Sequence, residues 1–291
     1  MILRLMFGDP FVNPTFEEFA MYVAYASSLR SSDLSRQVGA VVTRGNDIVA
    51  LGANDSPSFG GGQYWTRLEE GRYISPSGTD AARGYDANKI EYKKLVDEVL
   101  DAVDIHPNHK KRKDYESALK KTSLSSLTEY GRGVHAEMEA LSCCARNGVS
   151  TKGCSMFVTT FPCHNCAKHI VAMGIKNVYY IEPYPKSKAL SLHNDTVSTD
   201  VTSDDMVHFI PFTGVGPRRF MELFAMNSPP LYEKKRKDKN GMTLTWMPED
   251  GKLRTPLLPK TYLDLEIEHL NQYNLRVENI NKARETKEEP S

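Results

Sequence analysis

Apolar positions along this chain follow two patterns, a helical period near 3.6 residues and short continuous runs bounded by turn residues. The first predicts amphipathic helices and the second predicts buried strands. A turn at Arg44-Gly45-Asn46 separates the first two runs and predicts a hairpin, after which helices and strands alternate as in an α/β fold. The predicted helices cover about residues 16–30, 85–103 and 115–127, with further helices after 137, after 163 and from 214–220; the predicted strands cover 38–42, 47–51, 154–160 and 177–182.

The regular pattern stops inside one long polar segment rich in Gly and Lys. Two of the predicted helices fall within it, so it is an inserted subdomain, because a structureless segment of that length is uncommon in a compact domain. Beyond residue 227 the chain becomes charged, and we expect an arm that packs or oligomerises and is disordered after about Asn279. The predicted organisation is a linker or N-terminal extension over 1–14, a principal domain over 15–226 with the insertion at about 56–133, and a partly flexible C-terminal arm over 227–291.

Two short motifs provide metal-binding chemistry. His135-Ala136-Glu137 opens one predicted helix, and Pro162-Cys163-His164-Asn165-Cys166 opens the next helix after an intervening strand. An imidazole and two thiolates suit tetrahedral Zn2+, and three protein ligands leave the fourth position for water, as in catalytic sites. A structural zinc knuckle would need a fourth ligand. The spacing therefore predicts a catalytic zinc site formed by His135, Cys163 and Cys166.

Glu137 is the carboxylate that this chemistry requires. Zinc lowers the pKa of bound water from 15.7 to about 7, but the water's proton must still reach the reacting base. A free carboxylate two residues from a ligand can carry that proton. The combination of His-x-Glu with Pro-Cys-x-x-Cys matches the template of zinc nucleobase deaminases, so we expect hydrolytic removal of an amino group, with Glu137 catalytic.

With these motifs, the chain resembles the zinc-dependent cytidine and deoxycytidylate deaminase superfamily over about 15–224. Residues 35–42 resemble that family's first strand, and Gly52-Ala53-Asn54-Asp55 resembles its Gly-x-Asn turn. The resemblance implies an α/β fold, a cytidine-deaminase-like three-layer α/β/α sandwich with a mixed central sheet, one long helical insertion and a C-terminal arm. It implies that Asn54 contacts the sugar, although Asn also favours turns on its own account. The backbone at Ala136, Thr160 and Phe161 is then expected to read the base edge.

A narrower resemblance is to the bacterial anti-phage dCTP deaminases. Residues 29–39, the long insertion and Tyr184-Pro185-Lys186-Ser187 support it. It implies conversion of dCTP to dUTP and of dCMP to dUMP in nucleotide-depleting defence, with nucleotide effectors and a ring-like homo-oligomer. That group commonly carries a P-loop domain ahead of the deaminase, and this chain has no such motif. We expect either an excised deaminase domain, partnered by the missing P-loop domain or a regulatory RNA, or a naturally shorter relative.

Several residues are candidates for phosphate or effector contacts. Lys186 and Lys188 follow the strand at 177–182, and ligands of open α/β sheets bind at the carboxyl ends of strands. A glycine run after the sugar turn could bring backbone N–H groups to a phosphate or form a lid hinge, or it could be plain flexible loop. Arginines suit phosphate through their forked donors, and nucleotide phosphates could also bring Mg2+. These further candidates are Gly60, Gly61, Gly62, Arg36, Arg218 and Arg219.

Composition narrows the alternatives. Thirty-seven basic residues balance thirty-seven acidic ones, which differs from the basic footprint of a nucleic-acid binder and favours a free nucleotide. No apolar stretch approaches the ~20 residues of a membrane span, and residues 1–6 are too short for a signal peptide, so we expect a cytoplasmic protein without a membrane partner. Three alternatives stay open: a metabolic dCMP deaminase, a deaminase of bases in RNA or single-stranded DNA, and a catalytically silent regulatory zinc module.

The remaining histidines and cysteines offer a second, weaker metal hypothesis. Five cysteines, two of them assigned to zinc and two adjacent, do not suggest a disulfide framework. His106 and His109 stand before a basic run, and a solvated charged loop is favoured there over a second metal site. Such a second site would be completed by Cys154 and by His193 or His208.

Overall fold

The computed structural model describes residues 1–203, 205–228, 231–254 and 259–285. The chain forms two compact units, Pro14–Arg218 and Met1–Asn13 with Arg219–Ser291. In chain order the helices are α1 (Ile2–Met6), α2 (Phe16–Ser28), α3 (Asp80–Arg83), α4 (Ala87–Asp101), α5 (Arg112–Leu119), α6 (Ala136–Arg146), α7 (His164–Ala172), α8 (Ala189–Leu192), α9 (Pro217–Phe224) and α10 (Pro259–Glu285), and the strands are β1 (Gly39–Arg44), β2 (Asp47–Ala53), β3 (Arg67–Glu69), β4 (Arg72–Ile74), β5 (Ser155–Thr160), β6 (Asn177–Glu182), β7 (Val197–Ser198) and β8 (Val207–Pro211).

The larger unit is built on a six-stranded sheet with the order β2-β1-β5-β6-β8-β7. β1 pairs antiparallel with both β2 and β5, whereas β5, β6, β8 and β7 run parallel. The predicted hairpin joins β1 to β2, and Gly45 has the positive φ of 56° that this tight turn needs. The α/β class and the mixed central sheet are therefore confirmed.

Helices cover both faces of this sheet. Val41 and Val42 are neighbours on β1, so their side chains point to opposite faces, and both are fully buried. Val41 packs in a cluster with Met21 and Ala24 of α2, while Val42 belongs to the cluster formed with α6 and α7. Each such burial contributes about 1.5–3 kcal/mol. The result is the three-layer arrangement that the family resemblance implied.

Close contact between helix and sheet depends on glycine at one position of β2. A Cβ atom on Gly52 would lie 2.1 Å from the carbonyl oxygen of Ala136 and 2.5 Å from the nitrogen of Ala140. Real Cβ atoms do not approach other atoms so closely, so only glycine lets the first turns of α6 rest on the strand. This contact sets the position of the residues at the start of α6.

The insertion folds as predicted in part. Its α4 falls within the predicted helix over 85–103. The helix predicted over 115–127 exists with other bounds: α5 starts at Arg112 and ends at Leu119, and a separate 3-10 turn at Ser123–Ser126 follows it. Arg112 pairs with Asp97 and Asp101 of α4, and α5 therefore starts at Arg112, three residues before the predicted start. The side chain of Thr122 accepts a hydrogen bond from the nitrogen of Leu124, so this cap starts a separate turn.

The two ends of the insertion are held side by side. The nitrogen of Asp55 donates to the carbonyl oxygen of Val134 over 3.2 Å, and the nitrogen of Val134 donates back over 2.9 Å. The carboxylate of Asp55, itself buried, accepts from the nitrogen and hydroxyl of Ser32 and from the nitrogen of Ser56. The chain therefore leaves the sheet after β2 and returns, just before α6, to the same fixed point.

The smaller unit contains the first residues and the segment after 219. The nitrogen of Arg254 donates to the carbonyl oxygen of Met6, so the stretch expected to be a linker or extension packs within this unit. The Arg254 side chain is fully buried and donates to three backbone carbonyls. α10 continues to Glu285, past the point where disorder was expected at Asn279, and residues 286–291 lie outside the described residues. The domain bounds stay a prediction.

None of the helices that the structure describes is both long and apolar enough to cross a bilayer.

Candidate active site

The three predicted zinc ligands meet where two helices begin. His135 is the N-cap residue of α6 and Cys163 the N-cap residue of α7, with Cys166 in the first turn of α7. The Nδ1 atom of His135 lies 3.2 Å from the Sγ atom of Cys166 and 3.5 Å from the Sγ atom of Cys163. Zinc bonds of about 2.05 Å to nitrogen and about 2.3 Å to sulfur place tetrahedral ligand atoms about 3.6 Å apart. The donor set therefore fits zinc in both chemistry and spacing.

The electrostatics of this cluster favour an anionic sulfur. Hydrogen bonds from Cys166 and His135 lower the pKa of Cys163 to about 4. The hydrogen bond to Cys163 raises the pKa of His135 to about 9. A hydrogen bond between Cys166 and Cys163, together with burial, raises the pKa of the Cys166 thiol. A thiolate is the form of cysteine that binds metals. The site thus already stabilises one ligand in its binding form.

Glu137 lies in the first turn of α6, beside this cluster. Its residue is only 5% exposed, and burial raises the pKa of its carboxyl group. Within the described ranges, the group of potential ligand atoms lying within 4.8 Å of one another comprises His135, Cys163 and Cys166 and does not include Glu137. A buried carboxyl group that is close to a metal site but outside its ligand set is suited to proton transfer.

A cavity of about 930 Å³ opens onto the cluster, within the size range of small-molecule sites. It brings together most of the predicted site residues. Those lining it are His135, Ala136, Glu137, Cys163, Asn54, Thr160, Phe161, Arg36, Lys186 and Lys188.

Asn54 lies on the cavity wall but its amide already has partners. Its Nδ2 atom donates to the carbonyl oxygen of Arg36 over 2.7 Å, and its Oδ1 atom accepts from the nitrogen of Val38 over 2.7 Å. The side chain therefore ties the end of β2 to the segment before β1. One lone pair and one N–H remain for a ligand, so Asn54 both holds this wall and can contact a sugar.

The candidates for phosphate contact separate into two groups. Arg36, Lys186 and Lys188 share the cavity, with the guanidinium of Arg36 5.8 Å from the ring centre of Tyr184. The glycine run does not reach it: Gly61 instead lies over the Arg146 side chain, where an added Cβ would be 2.8 Å away.

The two downstream arginines are not part of the cavity lining either. Arg218 is exposed, and Arg219 pairs with Glu222 over 2.9 Å and donates to the carbonyl oxygen of Arg254. Neither residue is among those that line the cavity. Gly60, Gly61, Gly62, Arg218 and Arg219 are therefore poor candidates for contacts to a substrate in this cavity.

The insertion contributes a wall that sequence reasoning did not anticipate. Arg132 stands three residues before His135, between two glycines, and pairs with Asp80 from the start of α3. The position of Arg132 next to the zinc motif is visible in the sequence, but the sequence does not show that it pairs with the distant Asp80. The insertion residues lining the cavity are Asp80, Asp86, Asn88, Ser123, Leu124, Leu127, Thr128, Glu129, Gly131, Arg132 and Gly133.

The residues of the weaker metal hypothesis do not assemble. His106 lies 4.0 Å from Asp101 and 3.9 Å from Asp104, both exposed contacts on the insertion. His193 and His208 instead contact backbone carbonyl oxygens. Among the residues the structure describes, His135, Cys163 and Cys166 form the one cluster of three potential ligands, and nothing supports a Mg2+ site.

Comparisons with known proteins identify a family and several similar proteins. The profile of the family described as "Cytidine and deoxycytidylate deaminase zinc-binding region" matches residues 14–182. Deoxycytidylate deaminase of Enterobacteria phage T4 is 32% identical over 168 residues, covering 58% of this chain and 78% of the phage protein. Deoxycytidylate deaminase of Mus musculus is 28% identical over 165 residues, covering 56% of this chain and 63% of the mouse protein. A solved structure, dCMP deaminase from the cyanophage S-TIM5 in apo form, is 19% identical with a TM-score of 0.38, covering 69% of this chain and 100% of that one. Because the family profile matches more than half of its length, the chain belongs to the cytidine and deoxycytidylate deaminase zinc-binding family.

Proposed function

We propose that the protein hydrolyses the amino group of a free deoxycytidine nucleotide, converting dCMP and water to dUMP and ammonia. The observation that carries this proposal is the cluster of His135, Cys163 and Cys166 beside buried Glu137 at a cavity of about 930 Å³. The phage and mouse relatives are named deoxycytidylate deaminases, which supports the same substrate here.

Zn2+ held by His135, Cys163 and Cys166 would act as a Lewis acid that makes water nucleophilic near neutral pH. Glu137 takes the first proton of the water as its oxygen bonds to C4 of the cytosine, and passes that proton to N3. It then takes the second proton from the new hydroxyl group on C4 and gives it to the amino group, which leaves as ammonia while the C4 carbonyl forms. Burial raises the pKa of this carboxyl group, which makes it a stronger proton acceptor than an exposed carboxylate.

The rest of the cavity fixes the nucleotide. The nitrogen of Phe161 donates to the carbonyl oxygen of Glu182 over 2.7 Å, and its ring packs edge-on against Tyr180 and Phe209. These contacts hold the backbone at Thr160 and Phe161 in place, and we assign to it, together with the backbone of Ala136, the recognition of the base edge. We assign the sugar contact to Asn54 and phosphate contacts to Arg36, Lys186 and Lys188.

The proposal extends to dCTP as a second substrate and to depletion of DNA precursors in anti-phage defence. The resemblance of residues 29–39 and 184–187 to anti-phage dCTP deaminases supports this extension, and a metabolic dCMP deaminase would use the same chemistry. The balance of 37 basic and 37 acidic residues favours a free cytoplasmic nucleotide over RNA or single-stranded DNA. Glu137 favours an enzyme over a silent regulatory module. The homo-oligomer, the effectors and the P-loop or RNA partner stay predictions.

The test is release of ammonia and uracil nucleotide from dCMP, dCTP, CMP, CTP and deoxycytidine by zinc-loaded protein. We expect turnover of dCMP, and of dCTP if the anti-phage resemblance extends to the substrate. Glu137→Gln should keep its zinc and lose at least about 10²- to 10⁴-fold in kcat. Glu91→Gln, the same change at an exposed ion pair of α4, is the matched control and should act like the wild type. Zinc-loaded protein without turnover of any of these compounds would refute the proposed substrate class.

A further inference from the structure

One basic side chain in the cavity wall comes from the insertion and has no role in the reaction described so far. Within the described part of the chain, Arg132 is the sole basic residue that the insertion adds to this wall; Asp80, Asp86 and Glu129 make the rest of its charge negative. An arginine beside three acidic residues could simply brace the fold. Its hydrogen bonds and exposure distinguish the two roles.

Arg132 is held in place but is not saturated. Its Nη1 atom lies 2.7 Å from the Oδ1 atom of Asp80, and its Nη2 atom donates to the carbonyl oxygen of Gly78 over 3.1 Å. A guanidinium has five N–H donors, so three remain unassigned by these two bonds. The side chains of Arg132 and Asp80 are 28% and 20% exposed, and both line the cavity.

Arg112 shows what a bracing arginine in the same insertion looks like. Its side chain is 8% exposed and pairs with three acidic residues, Asp97, Asp101 and Glu116. It is absent from the residues that line the cavity. By contrast, Arg132 has one acidic partner, Asp80, and is among the residues that line the cavity.

The backbone that carries Arg132 is fixed on both sides. Val134 exchanges two hydrogen bonds with Asp55, at 3.2 and 2.9 Å, which joins this segment to the end of β2. On the other side, the amide of Asn88 donates to the carbonyl oxygen of Leu127 over 2.9 Å and accepts from the nitrogen of Tyr130 over 3.3 Å. Arg132 is therefore presented at a set position relative to His135.

We propose that Arg132 binds the phosphate of the nucleotide and selects nucleotides over nucleosides, with Asp80 as the positioning residue that orients its guanidinium. This rests on the proposed function, which supplies the phosphorylated substrate. The planar guanidinium group of arginine presents paired N–H donors that match two phosphate oxygens. The bond to Asp80 occupies only part of these donors, so the others can bind a phosphate. Phosphate binding then involves two sources: Arg36, Lys186 and Lys188 outside the insertion, and Arg132 on it.

The experiment compares ligands that differ only in the phosphate. Calorimetry on zinc-loaded protein measures binding of dUMP and deoxyuridine, and turnover measures KM for dCMP and deoxycytidine. Arg132→Gln should weaken dUMP binding and raise the KM for dCMP about 10- to 100-fold, while values for the nucleosides change less than about 2-fold. Arg132→Lys should restore part of this loss, because the charge remains without the fork. Asp80→Asn keeps an acceptor for Arg132 and should raise the KM for dCMP only a few-fold.

Arg83→Gln is the matched control, since Arg83 is an exposed arginine of α3 outside the cavity lining and its loss changes the net charge equally. It should leave both ligand pairs unchanged. If Arg132→Gln and Arg132→Lys affect nucleotide and nucleoside alike, Arg132 is only a brace and the inference is wrong. Wild-type protein that binds dUMP no more tightly than deoxyuridine also overturns it. Absence of all turnover with selective dUMP binding would instead count against the proposed reaction and leave the phosphate role supported.

Discussion

The contact of Gly52 with α6 offers a sharp test of how the fold positions the chemistry. In Gly52→Ala, the new methyl carbon would stand 2.1 Å from the carbonyl oxygen of Ala136. A tolerable carbon–oxygen separation is about 3.3 Å, so α6 or β2 must move by about 1.2 Å. Ala136 lies between His135 and Glu137, so this movement falls directly on the ligand and the proton carrier.

Two consequences follow from a shift of that size. Overpacking of a close-packed contact destabilises a protein by about 1–3 kcal/mol, which for a domain of this size lowers Tm by about 2–12 °C. Misplacement of catalytic groups by about 1 Å reduces kcat by about 10²-fold. We therefore expect Gly52→Ala to lose activity even at a temperature well below its Tm, where nearly all of the protein is folded. The loss of kcat should be much larger than the unfolded fraction alone would cause.

The assay measures kcat with dCMP, zinc per chain and Tm on the same preparation. Gly216→Ala is the matched control, because a Cβ there meets nothing within 4 Å and its φ lies outside the left-handed region. That control should stay within about 0.5 kcal/mol of wild-type stability and keep full activity. A Gly52→Ala protein with the kcat and Tm of the control would refute the link between this contact and the site.

Three further predictions concern other residues. Cys163→Ser should lose most of its zinc, measured by elemental analysis, and should also lose activity, because a hydroxyl is a poor replacement for a thiolate ligand. Asn54→Ala leaves the nitrogen of Val38 and the carbonyl of Arg36 without partners, so unfolding should become easier by about 1–3 kcal/mol in denaturant titrations, with a higher KM. Burial and two nearby arginines lower the pKa of Lys234 from 10.5 to about 8, so its protonated form destabilises the folded chain below pH 8. Between pH 8 and 10.5 the free energy of unfolding of the wild type, relative to Lys234→Met, should rise by about 1–3 kcal/mol, and a difference that is flat with pH would contradict this.

Local chemistry explains why much of the site could be predicted from the sequence. The zinc motifs lie at helix starts, where N-cap geometry depends on a few adjacent residues. β6 spans the predicted 177–182, and α6 ends at Arg146, directly before Asn147 and Gly148, two residue types that commonly end helices. Such features need only a short stretch of chain to specify them.

Features that depend on distant partners could not be predicted in the same way. The composition of the glycine run at 60–62 allows a phosphate contact, a lid hinge or a flexible loop, and the contact of Gly61 with the Arg146 side chain arises only in the folded chain. Arg132 was missed because Asp80, its partner, is 52 residues away in sequence. The bounds of α5 likewise depend on Asp97 and Asp101 of another helix.

The paired backbone bonds between Asp55 and Val134 have an evolutionary consequence. Because the insertion departs and returns through one two-bond junction, its length can change without moving the strand or the helix on either side. Doubling the length of such an excursion costs only about 0.6 kcal/mol in closure entropy. The proposed metal centre and the insertion wall beside it can therefore diversify independently, and if Arg132 selects the phosphate as proposed, exchanging the insertion between relatives should transfer that selectivity without changing the reaction.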